Sequence, residues 1–150
     1  MKKVLAGALV CISSVLVFAS FASASHAKQP APKKFSAALN VGQEVPHPTG
    51  TKVGAAGKFT ATVTGTTLKW TLTFAHLSGS ATASHIHGGV RGKSGAVLVP
   101  LCGPCSSPAS GTATVTATQL AGMVAGKDYV NVHTAKNPNG EIRGQITRAA

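Results

Sequence analysis

The sequence predicts an all-β domain, an antiparallel sandwich or barrel of about eight short strands. Apolar and polar residues alternate with the period of a strand in its clearest segments. Thr, Val, Ala and Gly dominate, and turn residues punctuate the chain at short, regular intervals. Between the strand-like runs no long segment has helical periodicity, so neighbouring strands pair antiparallel.

The expected strands are Phe35–Val41, Lys58–Thr64, Thr67–Phe74, Ala83–Gly88, Ala96–Leu101, Gly111–Thr118, Tyr129–Ala135 and Glu141–Thr147. In the third, Leu68, Trp70, Leu72 and Phe74 fall on one face. The second does the same with Phe59, Ala61 and Val63, and Gly65-Thr66 between them suits a tight hairpin. Trp70 is therefore a core residue. Asn137-Pro138-Asn139-Gly140 is a strong turn signal and joins the last two strands as a hairpin. Gln119–Ala125 is the one expected helical turn. With one apolar face per strand, the opposite face is expected to meet water.

Ahead of this domain, residues 1–24 read as a secretory signal peptide. Lys2 and Lys3 are followed by an apolar stretch to about Phe21 and by Ala22-Ser23-Ala24, a small-residue cleavage site. Cys11 lies inside the apolar region. Residues 25–34, rich in Pro and Lys, read as a flexible linker, and the domain is expected over 35–150. No second apolar run is long enough to span a membrane. The expected location is secreted, periplasmic or cell-surface.

Without Lys2 and Lys3, twelve Lys and Arg remain against Glu44, Asp128 and Glu141, a formal +9. Such a field favours anionic partners, such as a surface polymer, or an extracytoplasmic protein. The basic residues are scattered and lack interleaved aromatics, so nucleic acid is not an expected partner. With three acids in all, a paired-carboxylate hydrolase is excluded as a reading.

Parity assigns the polar residues. In Ser84-His85-Ile86-His87-Gly88-Gly89, Ile86 faces the core and His85 and His87 share the other face. In Tyr129-Val130-Asn131-Val132-His133-Thr134, the valines face inward and Tyr129, Asn131 and His133 outward. In Gly140-Glu141-Ile142-Arg143-Gly144-Gln145-Ile146, the isoleucines go in and Glu141, Arg143 and Gln145 go out. If the first strand borders that hairpin, His85, His87 and His133 meet on one outer face with a polar cluster of Asn131, Glu141 and Arg143. Three imidazoles suit copper or zinc. The alternative is a hydrogen-bonded surface network in which Glu141 pairs with Arg143 or a His and Asn131 serves loop backbone groups. His47 and His76 are isolated; either could add a ligand in principle.

These motifs, together with Glu44-Val45-Pro46 after the opening strand, resemble the CHRD domain family over roughly Phe35 to Arg148. The resemblance implies an immunoglobulin-like β-barrel of secreted and cell-surface proteins and no established reaction for stand-alone members. A second likeness is to copper/zinc superoxide dismutases, whose His-x-His pair, later His and Arg correspond to His85, His87, His133 and Arg143. The acidic zinc ligand and the bridging His of those enzymes have no counterpart here.

Cys102-Gly103-Pro104-Cys105 has the spacing of a thioredoxin redox motif, but a strand precedes it and a loop-like stretch follows. It reads as a small disulfide staple in an oxidising compartment, with redox exchange and metal binding as alternatives. Arg91, Lys93 and the Gly-rich 88–95 stretch could cradle an anion, although no helix follows to make a P-loop. Two functions are in view. One is a non-enzymatic binding or structural module that displays the polar cluster. The other is a copper- or zinc-binding protein, with superoxide dismutation as its furthest extension.

Overall fold

A computed structural model describes residues 30–150. The signal peptide, Cys11 and most of the linker lie outside the described residues. Nine strands and one helix follow in order: β1 Lys33–Asn40, β2 Ala56–Thr64, β3 Thr67–Ala75, β4 Ala81–Gly88, β5 Val97–Cys102, β6 Ala109–Thr114, α1 Ala117–Val124, β7 Asp128–Thr134, β8 Ile142–Gln145 and β9 Thr147–Arg148. Every strand pairing is antiparallel.

The hydrogen-bonded order is β5-β4-β7-β8-β1-β2-β3-β6, and β9 extends the pairing along β1. The edge strands β5 and β6 approach one another, and Ala81 bridges to Cys105 between them. The sheet therefore curls into a nearly closed barrel, which is the all-β sandwich or barrel the alternation predicts. No described helix is long and apolar enough to cross a membrane.

The interior is filled by the inward residues of each strand: Phe35, Leu39, Phe59, Leu68, Leu72, Ile86, Val130, Val132, Ile142 and Ile146 are all buried. Trp70 joins them. The β2–β3 hairpin turns at Gly65, whose φ of 59° is readily adopted by a residue without Cβ.

Most element boundaries shift by one or two residues from expectation, and three of the differences have a clear local cause. β1 begins at Lys33, because Lys33 and Lys34 already pair with Val63 and Thr62. β6 ends at Thr114, short of the expected Thr118. Thr116 caps a helix instead: its hydroxyl accepts from the Gln119 backbone amide at 3.2 Å, and the Gln119 side chain accepts from the Thr116 backbone amide at 2.8 Å. The last expected strand divides into β8 and β9, with buried Ile146 between them.

One expectation fails. The second face of β7 and β8 does not meet water. All seven residues of β7 are buried, and Glu141 and Arg143 have no exposed surface. The connections 41–55 and 89–96 roof this face: Arg143 donates to the carbonyls of Val90 and Lys93, both at 2.9 Å. The amide of Thr49 donates to Asn137 Oδ1 at 3.0 Å. Alternation specifies which side chains share a face, and the patternless connections decide what covers it.

Parity in the uncovered half of the barrel is directly testable. Phe59→Ala should cost about 3–5 kcal/mol in urea unfolding, and Thr60→Ala, on the opposite face of β2, less than about 0.5 kcal/mol. Equal losses at the two positions would contradict the assigned faces.

Candidate metal centre

β4 lies beside β7, as the site requires. His85 is in register with Asn131, Ala83 with His133 and His87 with Tyr129. The three imidazoles converge, each offering one nitrogen, and these nitrogens lie within 4.8 Å of one another. Among the described residues this is the one cluster of three or more potential metal ligands. His47 and His76 do not join it. Both are exposed and lie in connections.

The tautomers follow from the neighbours. His87 Nδ1 lies 2.9 Å from the Gly95 carbonyl and His133 Nδ1 2.9 Å from the Pro138 carbonyl. A carbonyl only accepts, so both Nδ1 atoms carry protons and both Nε2 atoms keep their lone pairs. His87 Nε2 is buried and has no hydrogen-bond partner. His133 Nε2 faces His85 Nδ1 at 3.1 Å. Two ligand nitrogens on a tetrahedral ion with bonds near 2.0–2.1 Å stand about 3.4 Å apart. The spacing thus suits a shared proton without an ion and two metal bonds with one. A backbone carbonyl on the far nitrogen of a ligating His is the usual device for fixing its tautomer and ring orientation.

Burial and then the neighbouring imidazoles hold His85 below the ordinary His range. Burial also lowers His133, and the Pro138 carbonyl only partly opposes this. Both are therefore neutral and ligand-competent near pH 7. His85 is half-buried, so the site opens on its side.

Tyr129 supports the triad from the adjoining position. Its ring stacks on His87, with centroids 4.9 Å apart and planes 6° apart, and the Arg143 guanidinium lies over it at 3.4 Å from the centroid. The Tyr129 hydroxyl accepts from the Gly95 amide at 3.3 Å. Gly95 is irreplaceable by geometry, because a Cβ there would sit 1.6 Å from the Gly88 carbonyl oxygen. The Gly-rich 88–95 stretch is thus the piece that orients His87 and binds Arg143 through its carbonyls.

The expected polar cluster of Asn131, Glu141 and Arg143 is real in position, but it is neither a surface patch nor one network. Glu141 pairs with neither Arg143 nor a His. Its carboxylate accepts from the Ser78 amide at 2.6 Å, the Ser78 hydroxyl, the Thr134 hydroxyl at 2.6 Å and the Asn137 amide at 3.2 Å. Burial opposes ionisation of Glu141, yet these donors outweigh it and hold the carboxyl below the usual range. Arg143 is shared among the Val90 and Lys93 carbonyls, Gln145 and the Tyr129 ring. Asn131 serves Glu44 rather than loop backbone groups, and its Oδ1 has no partner.

Glu44 belongs to this buried layer too. Burial pushes its carboxyl up to about 7, against the Val45 amide, the Arg143 charge and the Asn131 amide. Gly140, with φ of 126°, passes so close that a Cβ would lie 2.3 Å from Glu44 Oε2. Only the motif Glu44-Val45-Pro46 in the sequence marks this residue, and Ser78 carries no signal at all. Cys102 and Cys105 are bonded to each other, with Cα atoms 5.3 Å apart, at the end of β5.

Fold and site together define a small all-β domain with a polar centre sealed between the sheet and its connections. The family described as CHRD domain matches residues 35–146, and the chain belongs to that family. CHRD domains are typical of extracellular proteins, in keeping with the exported location the sequence suggests. Among curated proteins and solved structures nothing matches the chain.

The two buried glutamates titrate in opposite senses. The folded-state value of Glu44, about 7, exceeds its ordinary 4.5, so stability from this residue falls as pH rises through that window. Glu44→Gln should flatten the decline and raise stability at pH 8 by up to about 3 kcal/mol, with little gain at pH 4. Glu141 is depressed, so its contribution is lost as pH falls below 4.5. Glu141→Gln should cost about 3 kcal/mol at pH 7, since its amide brings donors to a site already filled with them. Urea melts across pH 4–8 measure both; an unchanged slope in Glu44→Gln would count against the assignment.

Proposed function

We propose that this domain is an extracytoplasmic, non-enzymatic binding module whose ligand is a copper or zinc ion held by His85, His87 and His133. The observation that carries the reading is the buried, unpartnered Nε2 of His87, aimed into a space where two further imidazole nitrogens converge. A buried acceptor without a partner is destabilising in a structural network, whereas a metal bond satisfies it. The carbonyls of Gly95 and Pro138 add support, because they hold two rings in the ligating tautomer.

The donor set consists of neutral imidazoles, which suits copper or zinc better than calcium or magnesium. Burial of Asn131, Glu141 and Arg143 counts against the alternative in which a displayed polar cluster recognises a partner. A purely binding role is favoured over dismutation by the engagement of Arg143, which leaves no free guanidinium to attract an anionic substrate to the triad.

The mature protein should take up one equivalent of Cu²⁺ or Zn²⁺ in calorimetric titration, confirmed by elemental analysis. At a free-ion concentration a hundredfold above Kd, unfolding should become harder by about 2.7 kcal/mol. The variant His85→Ala/His87→Ala should lose both effects. Uptake by that variant as tight as by the parent would remove the metal reading.

A further inference from the structure

The half of the barrel away from the triad has a different surface. Its outer face is a lattice fixed by strand register. Lys34, Thr62, Lys69 and Thr112 form one row across β1, β2, β3 and β6. Ser36, Thr60, Thr71 and Ser110 form the next. Ala38, Lys58 and Thr73 form a third. Rows lie about 6.6–6.8 Å apart along the strands, and members of a row about 4.8 Å apart across them. A shallow groove of about 510 Å³ runs over these rows.

Two features give the face its chemistry. First, no acidic side chain competes for its lysines. The chain has three acidic residues, Glu44, Asp128 and Glu141, and all three are buried. Every charged side chain exposed among the described residues is therefore a cation or a titratable His. Lys34 also donates to the Ala150 oxygen at 3.4 Å, whereas Lys58 and Lys69 are exposed. Second, the rows hold only Lys, Ser, Thr and one Ala. Phe35 and Trp70 also line the groove but point into the core and are almost fully buried, so neither bases nor sugar rings find an exposed stacking platform. What remains is point charges and hydroxyl donors at regular intervals, which suit oxyanions carried on a flexible chain.

We propose that the outer face of β1, β2, β3 and β6 binds a linear phosphodiester polymer, with its phosphates on Lys34, Lys58 and Lys69 and its remaining oxygens on the intervening hydroxyls. The groove is open across several strands, as a chain of repeating charges requires and a single small anion does not. This site is separate from the triad and does not depend on a metal ion.

The test uses the mature protein and fluorescently labelled poly(glycerol phosphate), read by anisotropy. Binding should weaken with salt at a log–log slope near −2, as expected for about three contacts to a flexible polyanion. Lys58→Gln/Lys69→Gln should lower affinity at least tenfold. The charge-matched variant Lys52→Gln/Lys136→Gln, altered in connections off the lattice, should lose less than twofold. Both pairs are exposed, and circular dichroism verifies that they fold. Equal losses in the two variants would reduce the effect to net charge and overturn the proposal. So would equal affinity for a sulfated glycan of the same charge density.

Discussion

Strand β7 is covered on both faces, and the rest of the structure answers to that constraint. On one side Val130 and Val132 meet the apolar interior. On the other, Tyr129 and Asn131 are nearly as dry as the valines, and His133 is 8 % exposed. A strand of this kind gains apolar contact from one face and incurs desolvation on the other. The cost of the polar face is reduced wherever a donor or acceptor meets a partner of the right sense, and Asn131 Oδ1, Glu44 Oε2 and His87 Nε2 are left without one. The connections 41–55 and 89–96, which lack regular strand structure, supply those partners through their carbonyls, amides and side chains.

The three acidic residues differ in how far burial is compensated. Glu141 collects four donors from Ser78, Thr134 and Asn137 and stays ionised, so it ties the β3–β4 connection to the β7–β8 hairpin. Glu44 lies near Arg143 with one oxygen unpartnered, and burial wins over the nearby charge. Asp128 packs against Gly122 of α1, where a Cβ would lie 2.6 Å from its Oδ2, and burial alone raises its carboxyl to about 6. With all three carboxylates buried, the exposed charged side chains are cations. The single sign of the surface follows from where the fold puts its acids, as well as from how few there are.

Much of this was legible in the sequence. Leu68, Trp70 and Leu72 alternate strictly, and β3 forms where they do. Ile86, Val130 and Val132 face the interior as their parity requires, and this brings His85, His87 and His133 together once β4 and β7 are neighbours. The neighbour relation was an assumption, because strand order depends on long-range pairing that no local pattern records. The dryness of the polar face is hidden from the sequence for a related reason. Period-two alternation reports that a face is polar and is silent on whether a loop lies over it. Thr116 and Gln119 did carry a readable capping-box spacing, but the Thr-rich run before them, Gly111–Thr118, reads equally as a longer strand. Gly95 and Pro138 act through their backbone carbonyls, and backbone groups leave no trace in residue chemistry beyond the glycine that permits the close approach.

The two halves of the barrel differ in legibility because they differ in physics. β1, β2, β3 and β6 are one-sided sheet, dry within and wet without. Local preference, parity and register there all point the same way. β4, β7 and β8 are two-sided, and their polar residues would be misplaced in a core designed for stability alone. Where local rules are broken under burial, the break has to be compensated nearby. Glu141 and Arg143 are compensated by hydrogen bonds. His87 Nε2 is the buried nitrogen of the triad with no partner in the protein. Asn131 Oδ1, Glu44 Oε2 and Asp128 Oδ2 are unpartnered as well, but only His87 Nε2, held between Gly95 and Tyr129, converges with two further imidazole nitrogens, and the proposed metal site rests on that convergence.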